Sequence, residues 1–408
     1  MKKLMLALLC ATAFLLTGCW DRTDIESRGF VLGIAIDSYP PAPNKPEKGG
    51  SASASSEEKE KFEKMELYIE PPTYAITVQL PVMKKAELTT AATGSGGGEG
   101  SKTWDITQIG NSFMNMNREM ATRTNLSLYY EHLQVIVISE SVAREGIENI
   151  MDFFVRDPEM RRRVKVFISP TEAKSILAVQ PRVEDYSSIY LAKLPINALK
   201  NSKIVHETDL GKIIDSIHGG YDFLLPRAEA VKDEIKTSGA AVFNGHIMTG
   251  WISGIELEAV KMMGNRYVGG VLPIRSPGDR EGIITMEVTK SKSKITPDIS
   301  GDFPAFRIEI KVEGNYAEGV FIHTHGELDS RFLKNLEDDF SRQIEKSCLQ
   351  AAEKLQEYRA DVIGLERILE SKHPGYWDKI SSDWDDVFSK AKIEVEVKVE
   401  LKLTGIVK

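Results

Sequence analysis

The last strand-forming stretch constrains this chain more than any other feature. Ile393, Val395, Val397, Val399, Leu401 and Leu403 alternate with Glu394, Glu396, Lys398, Glu400 and Lys402. Successive side chains on a strand point to opposite faces, so this period puts the apolar groups on one side and the charges on the other. One dry face and one wet face is the pattern of antiparallel sheets. Ile284, Met286 and Val288, then Phe306, Ile308, Ile310 and Val312, repeat the alternation upstream. The dry face needs a cover, and Leu328 to about Tyr358 supplies it. Leu333, Leu336, Phe340, Ile344, Cys348, Ala351, Leu355 and Tyr358 recur there at spacings of three and four, the stripe of an amphipathic helix. A second helix follows His373-Pro374, with Trp377, Ile380, Trp384 and Phe388 on its inner face. Asn244-Gly245 between two apolar runs predicts a tight hairpin. Ser253 and Glu256 predict a capping box opening a helix that runs to about Met263. Residues 237–408 are therefore expected to form an α+β domain, an antiparallel sheet covered on one face by long helices.

The remainder is expected to be a mixed α/β region over residues 19–180. Arg28 to Asp37 reads as a buried strand, and Ile76, Val78 and Leu80 alternate within a second, Leu67 to Val82. Leu133 to Ser139 and Val164 to Ile168 read as two more. Asp105 to Thr122 is expected to be helical, because Ile106, Ile109, Phe113, Met116 and Met120 fall three or four apart. Val142 to Val155 is read as one helix and Glu172 to Ala178 as a short one. Flexible excursions are expected near 39–64, rich in Pro, Ser, Glu and Lys, and near 84–103, which contains Thr93 to Ser101, TGSGGGEGS. From 181 to 236 the periodicity weakens and Gly219-Gly220 and Pro226 interrupt it, so this stretch is expected to connect two domains. A multidomain α+β chain fits 408 residues, at about 100–200 per domain.

The first residues carry a processing signal. Met1-Lys2-Lys3 is basic, and Leu4 to Leu15 is apolar apart from Thr12. That run suits a signal peptide and falls short of the roughly 20 residues a spanning helix needs. Leu16-Thr17-Gly18-Cys19 follows directly, the order of a lipoprotein signal. Cleavage would discard residues 1–18 and leave Cys19 as the lipid-attached first residue. Two acyl chains suffice for stable anchoring. Only three cysteines are present, Cys10, Cys19 and Cys348, which excludes a disulfide scaffold and an all-cysteine zinc site. With 52 Lys and Arg against 60 Asp and Glu, the net charge is -8. That acidic balance argues against nucleic-acid binding and for a body held beside a membrane by lipid and partners.

The motifs that would mark chemistry resolve to plainer readings. His323, His325 and Glu327 share one strand face and could bind zinc, but they read better as polar residues on a wet face. His206-Glu207 opens like a zincin helix, yet position 210 is Leu. The glycine-rich stretch 93–101 lacks the Lys-Ser/Thr and the leading strand of a phosphate loop. Cys348 falls on an apolar helical stripe and reads as core. Arg161-Arg162-Arg163 reads as a solvated basic turn, with lipid phosphate or an acidic partner as the alternative. Trp377 and Trp384 read as core. Neither a catalytic constellation, a cofactor motif nor a metal site is expected, and the chain is read as non-enzymatic.

Several segments together resemble the Ger(x)C family of spore germination lipoproteins, the C subunits of germinant receptors. Gly18-Cys19-Trp20-Asp21, Asp24-Ile25 and Gly33-Ile34-Ala35-Ile36-Asp37 match its opening. Tyr130 to Ile138 and Arg156-Asp157-Pro158-Glu159-Met160-Arg161-Arg162 follow, then Ala173-Lys174-Ser175-Ile176-Leu177. Asp361-Val362-Ile363-Gly364, Pro374-Gly375-Tyr376-Trp377, Trp384 and the closing strand to Thr404-Gly405 complete the series in order. The chain departs from the family at Ile363-Gly364-Leu365, where an aromatic residue is expected. The resemblance implies a three-domain α+β subunit, lipid-anchored at Cys19 on the outer face of the spore inner membrane. It implies two integral-membrane partners, the A and B subunits, in a nutrient-triggered receptor. Two other classes remain open: a solute-binding lipoprotein feeding a transporter, and an extracytoplasmic cell-wall hydrolase.

Overall fold

The computed structural model describes residues 25–40, 73–82, 102–206, 209–275, 282–319 and 330–402. In its first half, strands β1 (Arg28–Phe30), β2 (Gly33–Ser38), β3 (Tyr74–Pro81) and β4 (Thr103–Gly110) precede helix α1 (Phe113–Met120). Strands β5 (Ser127–Tyr129) and β6 (Val135–Ser139) follow, then helices α2 (Glu140–Glu145) and α3 (Glu148–Arg156), strand β7 (Lys165–Ser169), and helices α4 (Ala173–Leu177) and α5 (Ser187–Lys193). Five strands form one mixed sheet in the order β4-β3-β2-β6-β7. The pairs β4/β3 and β3/β2 are antiparallel, whereas β2/β6 and β6/β7 are parallel. Parallel neighbours need a crossover, and α2 with α3 provides it between β6 and β7. All five residues of β6 are buried because both sheet faces are covered. Ile136 and Ile138 face α1, α2 and α3, and Val135 and Val137 face α4 and α5.

Two sequence expectations change here. Residues 105–122 are not one helix: 103–110 is a strand paired along its length with β3, and only 113–120 is helical. The β-branched Thr103, Ile106, Thr107 and Ile109 favour extended backbone, and Ser112 caps α1 by accepting from the Asn115 N–H. The three-and-four spacing ran across this junction by coincidence. The helix expected over 142–155 is two, because Gly146 sits at φ 113° between them, a conformation open to glycine.

Residues 181–236 hold helix α6 (Leu210–Gly219) and strands β8 (Phe223–Pro226), β9 (Glu229–Val231) and β10 (Glu234–Lys236). Strands β11 (Ala240–Asn244) and β12 (Ile247–Ile252) form the expected hairpin, and β8 joins it in the order β12-β11-β8. This three-stranded sheet is apolar on both sides. Ala241 and Phe243 pack into the N-terminal core with Ile213 and Ile214 of α6. Ala240 and Val242 pack into the C-terminal core.

Helix α7 (Gly254–Met263) opens on the expected Ser253–Glu256 capping box. Strands β13 (Gly270–Arg275), β14 (Ile283–Asp298) and β15 (Ala305–Gly319) are antiparallel, and helix α8 (Ser330–Glu357) crosses their dry face. Helices α9 (Leu365–Lys372), α10 (Pro374–Ile380) and α11 (Trp384–Lys390) lead to strand β16 (Lys392–Lys402). This last strand is parallel to β15: the helices carry the chain back across the sheet, so it re-enters in its neighbour's direction. Leu336, Phe340, Ile344, Cys348, Ala351 and Leu355 form the buried face of α8 against Phe306, Ile308, Ile310, Val397 and Val399. Among the described residues no helix is long and apolar enough to cross a membrane.

Candidate functional site

At one end of the middle sheet three turns meet, each from a different part of the chain. Asp222, between α6 and β8, accepts hydrogen bonds from the Gly245 N–H (2.9 Å) and the Asp361 N–H (2.6 Å). Asp361, just past α8, accepts from the N–H groups of Gly364 (2.9 Å) and Glu366 (2.7 Å). Gly364 adopts φ 91°, which turns the backbone toward Asp361. The Asn244 side-chain amide donates to the Arg359 carbonyl (2.6 Å) and to an Asp385 carboxylate oxygen (2.9 Å). The two aspartates, Asp361 buried and Asp222 half-buried, thus satisfy backbone donors that would otherwise be stranded at the ends of the elements they join.

A cleft of about 530 Å³ opens beside these turns, lined by Tyr221, Asp222, Arg359, Glu366, Trp377 and Asp385 among others. A second, of about 330 Å³, lies behind Asp222 and Glu366 and takes its charge from Arg266 and Arg367. Glu366 stands between them and is 9% exposed. Burial raises its carboxyl to about 8, with the Asp361 and Asp222 charges pushing the same way and Arg367 opposing. Burial also raises Asp222 to about 7, against its two backbone donors. Burial raises Asp361 less far, to about 6, because several backbone N–H groups favour its ionised form. Among the described residues, no histidine, cysteine or lysine lines the larger cleft. Its chemistry is that of a receiver of positive charge and of hydrogen-bond donors.

The residues singled out from the sequence fall elsewhere, with one exception. Cys19 lies outside the described residues, as do His323, His325, Glu327, Glu207 and the glycine-rich stretch 93–101. His206 is exposed. Cys348 is fully buried, its thiol pushed up to about 12 by burial and the Glu345 charge, the environment of a core residue. Arg161, Arg162 and Arg163 are exposed; Arg161 reaches Glu131 (3.5 Å) and Arg162 reaches Asp215 (2.6 Å). Trp377 and Trp384 meet edge to face with centroids 5.4 Å apart. Trp384 is core, as expected, and both border the larger cleft. Sequence reasoning noticed Asp361 to Gly364 only as a resemblance, and it missed Asp222 and Glu366. No local pattern marks a carboxyl whose neighbours come from residues more than a hundred positions away.

Two family models cover the chain. One, described as the spore germination protein N-terminal domain, matches residues 21–230. The other, described as spore germination B3/GerAC like, C-terminal, matches residues 238–405. Spore germination protein YndF of Bacillus subtilis (strain 168) is 30% identical over 408 residues, covering 99% of this chain and 97% of the relative. Spore germination protein A3 of the same organism is 27% identical, covering 99% and 98%. Spore germination protein B3 is 24% identical, covering 96% and 95%. The crystal structure of the GerBC protein superposes with a TM-score of 0.56 at 23% identity, over 81% of this chain and 94% of that one. With both halves matched in order and relatives aligned end to end, the chain belongs to the GerAC-like family of spore germination proteins.

Proposed function

We propose that this chain is a lipid-anchored, non-enzymatic subunit of a nutrient germinant receptor. It acts with two integral-membrane subunits, A and B, at the outer face of the spore inner membrane. The observation that carries this reading is the end-to-end correspondence with relatives named as spore germination proteins. The signal ending in Leu16-Thr17-Gly18-Cys19 supports the anchor. Diacylation at Cys19 would confine the body to the membrane plane, where a partner meets it at a raised effective concentration and modest interfaces suffice.

The test is membrane fractionation and co-purification from spores. The wild-type chain should sediment with membranes, resist salt washing, and bring down two polytopic proteins. Cys19→Ala should block lipid attachment, leaving the chain either uncleaved or, if cleaved, soluble. Membrane retention of the Cys19→Ala protein with normal processing would remove the anchor from this reading. Recovery of a transporter in place of two receptor subunits would replace it with the solute-binding one.

A further inference from the structure

Glu366 is the acid in the seam that no structural role absorbs. Asp222 and Asp361 each hold backbone donors of neighbouring turns. The Glu366 side chain has no hydrogen-bond or ion-pair partner among the described residues, although it is 9% exposed and borders the larger cleft. An ionised carboxylate at that depth is costly without a partner. The Arg367 charge opposes that of its neighbouring acids, but its guanidinium lies over the Tyr221 ring, 3.9 Å from the centroid. The cleft itself is strongly one-signed. Glu370, Asp383, Asp385 and Asp386 line it with Asp222 and Glu366, against Arg359 as the one cation among the described residues, and Arg359 is already paired with Asp386 at 2.6 Å.

We propose that this cleft binds an organic cation, a primary ammonium or guanidinium group, seated on Glu366 between the Tyr221–Asp222 turn and the Trp377–Asp385 segment. Three observations set the class of ligand. The volume of about 530 Å³ falls in the range of small-molecule and side-chain pockets. Trp377, Trp384 and Tyr221 line the walls, and aromatic faces beside carboxylates are the usual setting for organic cations. Among the described residues, no three acidic, histidine or cysteine groups are arranged to hold a metal ion, so the acids suit a ligand that spans them with several N–H donors. The shared chemistry has two sources, a free amine or a basic side chain of a protein partner. The inference stands apart from the anchor and receptor reading, since it rests on the cleft alone.

Calorimetry on the full-length chain in detergent tests it, with agmatine as the free-cation probe and a short Lys/Arg peptide as the side-chain probe. Saturable binding of agmatine assigns a free cation; binding of the peptide alone assigns a partner's side chain. Either result should weaken at least tenfold in Glu366→Gln, which keeps shape and removes charge, and several-fold in Trp377→Leu. Binding at pH 7 should also release protons. Around Glu366, the groups that set its proton affinity are Asp361, Asp222, Arg367 and Glu370. Arg359, Asp383, Asp385 and Asp386 face the same space. Proton release appears as an enthalpy that changes with the buffer's ionisation heat, and it should fall in Glu366→Gln to the part that Asp222 supplies. Absence of saturable heat with both probes overturns the proposal, and so does Glu366→Gln binding as tightly as wild type while retaining its fold by circular dichroism.

Discussion

The outer edge of β16 is sealed by side chains of α8, and their removal should both destabilise the chain and make it sticky. Glu345 accepts from the Val397 N–H (3.0 Å), Ser341 from Val399 (3.2 Å) and Glu337 from Leu401 (2.8 Å). The match follows from two rises. Four helical residues advance about 6.0 Å, and two residues of a parallel strand about 6.6 Å. Acceptors at every fourth helix position therefore meet donors at every second strand position running the other way, with about 1 Å of slip over the row. The three acceptors lie one residue past the core positions Leu336, Phe340 and Ile344, about 100° round the helix. That turn brings them from the dry face to the rim of the sheet.

Substituting Glu337, Ser341 and Glu345 by alanine leaves three strand N–H groups without acceptors. A fully buried orphan costs about 1–3 kcal/mol. All three acceptors are half-buried, so water reaches the rim and the low end applies, giving about 3 kcal/mol for the triple variant. The sites share one row, so strict additivity is not expected. Glu337→Gln with Glu345→Gln keeps an acceptor oxygen at each place and should cost less than half as much. Urea unfolding followed by far-UV circular dichroism measures the loss. Light scattering measures the second consequence, since an eleven-residue strand with open donors is a template for edge-to-edge association. A triple-alanine protein that unfolds at the wild-type urea concentration and stays monodisperse would refute the sealing argument. Glutamine variants as damaging as alanine would show that charge, not hydrogen bonding, matters at this edge.

Three other perturbations follow from buried groups. Asp37 caps α4 through the Ala173 and Lys174 N–H groups, yet burial holds its carboxyl up at about 6. A folded value above the unfolded one means that the native chain binds the proton more tightly. This contribution to stability is full below about pH 4 and lost as pH rises through 6. Asp37→Asn should remove that slope, changing the wild-type-minus-variant stability by up to about 3 kcal/mol between pH 4 and 7, as read by urea titrations at each pH. Gly250→Ala would place a Cβ 2.2 Å from the Tyr358 ring, whose hydroxyl donates to the Trp251 carbonyl. Displacing the ring should cost about 1–3 kcal/mol, measured as a lowered thermal midpoint. Cys348, buried and held protonated, should resist maleimide in the native chain at pH 7 and label fully in denaturant; native labelling would contradict the core packing.

The C-terminal half was legible because its signals are local and agree with one another. The alternation of β16, the stripe of α8, Asn244-Gly245 and the Ser253 capping box each specify one element, and the structure uses all of them. Strand direction was not legible, since β16 carries the same alternation whether it runs with β15 or against it. The N-terminal half was less clear where short elements abut. Ile106 and Phe113 share a helical spacing that Gly110, Asn111 and Ser112 interrupt, and period alone does not outweigh a strand ending next to a cap. The seam was hidden altogether. Asp222 and Asp361 lie 139 positions apart, and the burial that gives Glu366 its character comes from elements on both sides of it.

The middle sheet explains why residues 181–236 look weak as sequence and hold firm as structure. A strand with a core on each face does not alternate apolar with polar residues, so β8 reads Phe-Leu-Leu-Pro, and the same lack of a two-residue period shows in its neighbour β11, Ala-Ala-Val-Phe. Its Ala241 and Phe243 serve one core and its Ala240 and Val242 the other. β8 pairs with β11 along Phe223 to Pro226, and Phe223 stacks on Phe243 with centroids 4.9 Å apart. A boundary drawn anywhere between 226 and 240 therefore cuts the chain between two strands of one hydrogen-bonded sheet. Each half keeps a core wall that only the other half completes, and the acidic seam lies at the open end of that shared wall. The seam thereby joins a charged cleft at the surface to the packing of the whole molecule.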